Sequence, residues 1–169
     1  DLKAGVYAEV EPLLAEGALL CSNTSTLPIT GLAKSVTRPK DFIGLHFFSP
    51  VDKMPLVEIV VGEETSDAAI AKAVDVTMQI KKTPIVVNDR RGFYTSRTFK
   101  QYLFEGMAML AEGVRPALIE NAGKMTGMPV APLALTDEVS LDLVYRISQQ
   151  TRRDLGDEYQ QKERVKKKK

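Results

Sequence analysis

The sequence predicts an α/β protein in which a mostly parallel sheet is followed by an all-helical domain. Two observations lead to this prediction. Up to about residue 88, short β-branched apolar runs alternate with segments of helical period, an order typical of parallel sheets. Beyond that point the apolar residues recur only at helical spacing, and no further strand is predicted. We therefore expect an α/β domain over 1–88, a helical domain over 89–160 and a basic tail over 161–169.

The elements are assigned from apolar spacing and from the residues at their ends. Pro28 suits the start of a short helix, and Ser66 is a typical helix N-cap. The elements predicted in the first domain are a helix over 2–15, a strand over 18–21, a helix over 29–35, strands over 42–48 and 56–61, a helix over 67–81 and a strand over 84–87. The helices predicted in the second domain cover 93–110, 115–125, 132–137 and 141–155.

Composition excludes several classes of protein. Cys21 is the only cysteine and His46 the only histidine, so an internal disulfide, a cysteine-based zinc site and a histidine-rich metal site are all ruled out. Apolar runs such as Ile85–Val87 are far shorter than the ~20 residues that a membrane span needs. No signal peptide is recognised, and we expect a cytoplasmic protein.

The charge is divided between the body and the tail. The overall net charge is +1, and Lys162–Lys169 contribute +5 of it, which leaves −4 on the body. A body of this sign offers no broad basic surface for nucleic acid. The lysine run is typical of a solvated tail, with contact to an anion or a membrane as the alternative.

Polar residues follow several of the predicted strands. Ser22–Ser25, Ser49–Pro50 and Asn88–Asp89 each come where a strand ends. Because ligands of open α/β sheets bind outside the carboxyl ends of the strands, we expect these residues at one functional edge. The Ser22–Ser25 loop alone is weak evidence, since one of its hydroxyls could simply cap the helix that follows.

His46 and Glu58 are polar residues inside two apolar strands. Each has an ordinary explanation: a core histidine bonded to backbone, and a glutamate on an edge strand facing water. If the two strands are neighbours, the carboxylate can instead accept from one imidazole nitrogen and leave the other free as a base. An isolated buried carboxylate would be very costly, which favours the paired arrangement.

These residues lie in segments that resemble a known family. The segments are SNTSTLPIT (22–30), GLHFFSPVDKMPLVEIV (44–60), TPIVVND (83–89) and RGFYTSR (91–97). They are similar to L-3-hydroxyacyl-CoA dehydrogenases, in particular to the dehydrogenase part of the bacterial multifunctional fatty-acid oxidation enzyme. The resemblance runs from about Leu2 to Tyr159. It implies the C-terminal half of a Rossmann-like sheet and a helical domain that forms a homodimer.

The resemblance also implies an activity and its catalytic residues. The reaction would interconvert (S)-3-hydroxyacyl-CoA and 3-oxoacyl-CoA with NAD in fatty-acid β-oxidation. His46 matches the general base, Glu58 matches its carboxylate partner, and Ser25 matches the hydroxyl that bonds the reacting oxygen. Ser96 stands where the family usually has an asparagine that helps to hold the site; serine keeps a donor and an acceptor but has a shorter reach.

Cofactor contacts are implied for a second set of residues. Lys3 matches a lysine close to NAD, Asn23 and Ser25 lie in the loop near the nicotinamide, and Ser49 stands beside its ribose. No metal is implied.

The chain departs from the family in one large respect. It has no G-x-G-x-x-G turn after a strand, and Gly123 and Gly127 lie in the helical part. We expect a piece of a longer protein that neither binds NAD usefully nor turns over alone. The alternatives are a non-catalytic interaction or dimerisation module, and a dehydrogenase of another 3-hydroxy acid.

Overall fold

The computed structural model describes residues 2–140 together with 142, 145, 146, 149, 153 and 156. The chain divides into two compact units, Asp1–Phe99 and Lys100–Lys169. Most of the helix predicted over 141–155 and all of the basic tail lie outside the described residues. The domain limits at 88 and 160 stay predictions.

The first unit contains the sheet and its helices. The elements are α1 (Leu2–Val10), β1 (Leu20–Ser22), α2 (Ile29–Ala33), β2 (Phe42–Phe47), β3 (Leu56–Val61), α3 (Asp67–Gln79) and β4 (Thr83–Asn88). Helix α1 ends earlier than predicted, and a 3-10 turn at Glu11–Leu13 follows it. Pro12 accounts for the difference, because it has no amide hydrogen to continue the α-helical bonding. Ser66 caps α3 as expected, accepting from the Ala69 amide at 3.2 Å.

The sheet is mostly parallel, as predicted. Its strand order is β1-β2-β3-β4. The β1–β2 and β3–β4 pairs are parallel, and the central β2–β3 pair is antiparallel. The carboxyl ends of β3 and β4 therefore lie at the opposite edge from those of β1 and β2.

Apolar side chains cover both faces of this sheet. Phe42 and Val60 belong to a cluster with Tyr7, Ile29 and Phe93. The alternate residues of the same strands form a second cluster, made of Ile43, Leu45, Val57, Ile59 and, from α3, Ala73. Since side chains of a strand alternate between faces, His46 and Glu58 lie on the face of the first cluster.

Gly44 allows α2 to lie close against this face. A Cβ at Gly44 would lie 2.8 Å from the Val60 Cβ and 2.9 Å from the Ile29 Cδ1. Only glycine permits that approach.

Helices make up the described part of the second unit. Helix α4 (Thr95–Ala111) begins in the first unit, and α5 (Pro116–Met125) and α6 (Pro132–Val139) follow. Glu120 of α5 accepts from the Leu133 amide at 2.9 Å, at the start of α6. No strand follows β4 among the described residues, as predicted. None of the helices described has both the length and the apolar character to cross a membrane.

Candidate active site

His46 and Glu58 form a buried pair. The antiparallel register places them opposite each other on β2 and β3, and His46 Nδ1 lies 2.7 Å from Glu58 Oε2. Glu58 is 0% exposed and His46 is 7% exposed. Since β3 lies between β2 and β4, the edge-strand explanation of Glu58 is wrong.

Glu58 accepts four hydrogen bonds. Its Oε1 accepts from the amides of Tyr94 at 3.0 Å and Thr95 at 2.8 Å. Its Oε2 accepts from His46 Nδ1 and from the Thr95 hydroxyl, both at 2.7 Å. A carboxylate has about four acceptor positions, two on each oxygen, so all of them are used.

These donors hold the pKa of Glu58 below its ordinary value. Burial opposes ionisation and would raise the pKa, but the hydrogen bonds from His46 and from the Thr95 amide and hydroxyl, with the charge of a protonated His46, outweigh it. The amides of Tyr94 and Thr95 also stand at the N-terminus of α4, where the helix dipole favours an anion. Glu58 is therefore an ionised acceptor at neutral pH.

An ionised Glu58 determines the tautomer of His46. A carboxylate accepts but does not donate, so a neutral His46 carries its proton on Nδ1 and a lone pair on Nε2. Nε2 has no hydrogen-bond partner among the described residues. Every fully buried side-chain nitrogen or oxygen of these residues has a partner, so Nε2 is not fully buried. Nε2 therefore keeps access to the surface, the arrangement that a general base needs.

Two aromatic rings enclose the imidazole. The Phe48 ring lies 4.6 Å from it and the Phe93 ring 5.8 Å from it, centroid to centroid. Phe93 is 1% exposed and Phe48 follows β2 directly. These contacts limit rotation of the ring and leave Nε2 as its accessible polar atom.

A tight turn brings the amides of Tyr94 and Thr95 to Glu58. Gly92 and Phe93 both have positive φ, +78° and +47°. That conformation is strained for phenylalanine and common for glycine, so burial of the Phe93 ring offsets a local backbone cost. The turn lets successive amides point at one carboxylate oxygen.

The loop after β1 lies along the end of β2. The Asn23 side-chain oxygen accepts from the Phe47 amide at 3.0 Å, next to His46. Ser25 and Ser49 are exposed, and Ser49 follows the end of β2. Ser22 and Thr24 instead have structural partners, since Ser22 accepts from the Tyr7 hydroxyl and Thr24 from the Leu27 amide. Asn23 and Ser49 thus lie at the end of β2, whereas the site role of Ser25 stays a prediction.

Two further predicted site residues lie in helices. Ser96 is half-buried in the first turn of α4, directly after Thr95. Lys3 is half-buried in α1. Their predicted roles stay predictions.

The prediction that Asn88–Asp89 shares this edge is wrong. Because β3 and β4 run opposite to β2, the end of β4 lies at the other edge. Asp89 accepts from the amides of Ile29 at 2.9 Å and Thr30 at 2.7 Å, so its carboxylate caps α2. The cap of α2 is thus this distant carboxylate and not a hydroxyl of the Ser22–Ser25 loop.

Thr95 is the residue that sequence reasoning missed. A fully buried carboxylate needs several donors, and a single imidazole cannot supply them. That requirement indicates a segment with several hydrogen-bond donors. The turn at Gly92 is followed by such a segment, since the amides of Tyr94 and Thr95 and the Thr95 hydroxyl all donate to Glu58. No group of three or more histidine, cysteine, aspartate or glutamate side chains in the described part could hold a metal ion.

The fold and the site define an α/β protein with an imidazole–carboxylate acid–base pair. The NAD binding domain of 3-hydroxyacyl-CoA dehydrogenases matches residues 1–90, and the C-terminal domain of the same enzymes matches residues 92–169. The chain belongs to the 3-hydroxyacyl-CoA dehydrogenase family.

Individual relatives agree with this assignment. The chain is 41% identical over 159 residues, 94% of its length, to a fatty acid oxidation complex subunit alpha of Shewanella amazonensis. Its structure is similar to that of (S)-3-hydroxybutyryl-CoA dehydrogenase of Ralstonia eutropha, with 34% identity, a TM-score of 0.84 and coverage of 90% of this chain and 54% of that one. For 3-hydroxybutyryl-CoA dehydrogenase of Escherichia coli the identity is 32%, the TM-score 0.79 and the coverage 84% and 30%.

The chain spans a small part of the longer relatives. It covers 22% of the Shewanella protein and 23% of a fatty acid oxidation complex subunit alpha of Idiomarina loihiensis.

Proposed function

We propose that this chain carries the acid–base site of an NAD-dependent enzyme that interconverts (S)-3-hydroxyacyl-CoA and 3-oxoacyl-CoA in fatty-acid β-oxidation. The observation that carries the proposal is the 2.7 Å contact between His46 Nδ1 and a fully buried Glu58. Membership of the family supports the substrate class. In this proposal residues 1–88 belong to the dinucleotide-binding domain and 89–160 to the helical domain.

His46 and Glu58 would perform the proton transfer. In oxidation, the proton of the substrate 3-hydroxyl passes to Nε2, the lone-pair nitrogen, while the hydrogen on C3 leaves with its electron pair. The resulting imidazolium donates Nδ1–H to an ionised Glu58, a charge-assisted hydrogen bond. In reduction, protonated His46 returns the proton to the ketone oxygen.

NAD, when bound, accepts the hydride from C3. Asn23 and Ser49 are exposed polar residues beside the end of β2, and Ser25 is exposed in the same loop as Asn23. Side chains of this kind fit the reacting end of a dinucleotide. Ser25 would also bond the reacting oxygen, while Lys3 and Ser96 would support the cofactor and the catalytic pair. The sequence has no Gly-rich turn after a strand, so no cradle for the pyrophosphate is present in these residues.

Replacement of His46 by Gln tests the proposal. The assay uses the protein encoded by the complete natural gene, called the natural gene product below. We expect kcat/KM for 3-hydroxyacyl-CoA to fall by several orders of magnitude with circular dichroism unchanged. Thr98→Val is a suitable control, because Thr98 is exposed and bonds only the Tyr94 carbonyl among the described residues. Wild-type activity in His46→Gln would rule out the mechanism, and absence of turnover in the wild-type protein would favour a non-catalytic interaction module.

We further propose a homodimer formed through the helical domain. Leu118 and Met125 of α5 are 57% and 87% exposed, and they lie seven positions apart, on one side of the helix. Contiguous exposed apolar surface marks interaction sites, and two apolar side chains on one side of a helix can form part of such a surface. Light scattering of the purified protein should give twice the monomer mass; a monomer at micromolar concentration would contradict the proposal.

A cytoplasmic location is likewise a proposal, and cell fractionation tests it.

A further inference from the structure

We propose that Thr95 is a positioning residue that fixes the plane of the Glu58 carboxylate and thereby the orientation of His46. The contacts of Thr95 are part of the geometry of the site, and their consequence for turnover rests on the proposed function. Thr95 itself would touch neither substrate nor cofactor in this role.

Thr95 spans both oxygens of one carboxylate. Its amide donates to Glu58 Oε1 at 2.8 Å, and its hydroxyl donates to Oε2 at 2.7 Å. The terminal torsion of a glutamate side chain is broad, so the plane of the carboxylate depends on the donors that its two oxygens meet. Among the described residues, Thr95 alone supplies a donor to each oxygen, and its hydroxyl helps to hold Oε2 while the amides hold Oε1.

The same Oε2 atom faces the base. His46 Nδ1 and the Thr95 hydroxyl both lie 2.7 Å from it, so a rotation of the carboxylate would move the acceptor away from the imidazole. The Thr95 hydroxyl therefore holds the same oxygen that the imidazole meets. Among the described residues, Thr95 is the one side chain besides His46 that donates to Glu58.

The unique histidine makes this arrangement measurable. In this polypeptide labelled with ¹⁵N-histidine, the spectrum contains one imidazole, that of His46. The proton on Nδ1 gives a cross-peak whose intensity reports how fast it exchanges with water. A well-held hydrogen bond to Oε2 slows that exchange.

The experiment compares wild type with Thr95→Val, Thr95→Ser and Thr98→Val. We expect exchange of the Nδ1 proton to become about tenfold faster in Thr95→Val, the order expected when a hydrogen bond to a charged group is lost. Thr95→Ser should restore the wild-type rate, and Thr98→Val, which loses a hydroxyl bonded to the Tyr94 carbonyl, should leave it unchanged. Thr95→Ala replaces Thr95→Val if that variant does not fold.

Turnover supplies the second readout. In the natural gene product, kcat should fall about tenfold in Thr95→Val, the order expected for loss of a hydrogen bond to a charged group, and KM should be unchanged because the residue does not bind substrate. Equal exchange rates in Thr95→Val and Thr98→Val, or no restoration by Thr95→Ser, would overturn the proposal. Absence of 3-hydroxyacyl-CoA turnover in wild type, with the expected exchange rates, would overturn the proposed function and leave the role of Thr95 intact.

Discussion

Glu58→Gln should move the proton of His46 from Nδ1 to Nε2. The glutamine amide offers one acceptor oxygen and one donor NH₂ group in place of two acceptor oxygens. The amides of Tyr94 and Thr95 can only donate, so the glutamine oxygen must face them. The NH₂ group then faces Nδ1 of His46 and the Thr95 hydroxyl, both of which can accept. His46 would respond by carrying its proton on Nε2.

The size of the effect follows from this geometry. With a proton on Nε2, the surface-facing nitrogen no longer has a lone pair for the substrate hydroxyl. The same carboxylate-to-amide change in a serine protease triad, which also inverts a tautomer, costs about 10⁴ in kcat, and we expect a loss of that order. Stability should fall by about 1.5–3 kcal/mol, the range for hydrogen bonds to a charged group.

The assay is the ¹⁵N spectrum of the single histidine at a pH where the ring is neutral. Wild type should show the proton on Nδ1 and Glu58→Gln should show it on Nε2. Glu11→Gln is the matched control, because Glu11 is another buried carboxylate whose donors include the amides of Thr37 and Arg38. A proton that stays on Nδ1 in Glu58→Gln would refute the reasoning, whatever the activity.

Three other predictions concern stability and binding. Burial opposes the ionisation of Glu58 and Glu11, but their hydrogen bonds outweigh it and hold both pKa values below the ordinary 4.5, so the folded state binds fewer protons than the unfolded one. The stability that these two carboxylates contribute is complete above about pH 4.5 and is lost as the pH falls through their folded pKa values. Urea unfolding across this window should show the decline in the free energy of unfolding. Glu11→Gln should reduce the slope of that free energy against pH. Asp89→Ala should lower the free energy of unfolding by about 1 kcal/mol through loss of the α2 cap, and an unchanged urea midpoint would contradict that role. Calorimetry with NAD should show no micromolar binding to this polypeptide, and such binding would disprove the need for a Gly-rich turn.

The catalytic pair was predictable because its residues conflict with their surroundings. An imidazole and a carboxylate inside two apolar strands each require a partner, and neighbouring strands supply one. The positions of β2 and β3 follow from their β-branched and aromatic content, and β3 was assigned with the limits that the structure shows. Local composition was therefore enough to predict the contact between His46 and Glu58.

The direction of β3 was the part that local composition did not reveal. A parallel connection needs about a dozen residues or more, and the connection over 48–55 is shorter than that. Attention to this length would have predicted the antiparallel pair and placed Asp89 at the other edge. The contacts of Thr95 with Glu58 join residues 37 positions apart, and no periodicity in the sequence encodes such a contact.

The antiparallel pairing of β2 with β3 also constrains which changes of chain length the protein can accept. His46 and Glu58 lie on the two strands of one hairpin, β2 and β3. A slip of one residue in either strand would turn its functional side chain toward α3. Extra residues between the two strands cost little, since loop closure depends weakly on length. Insertions should therefore be tolerated around Asp52 and Lys53, whereas a single deletion within either strand should separate proton donor from acceptor even in a protein that still folds.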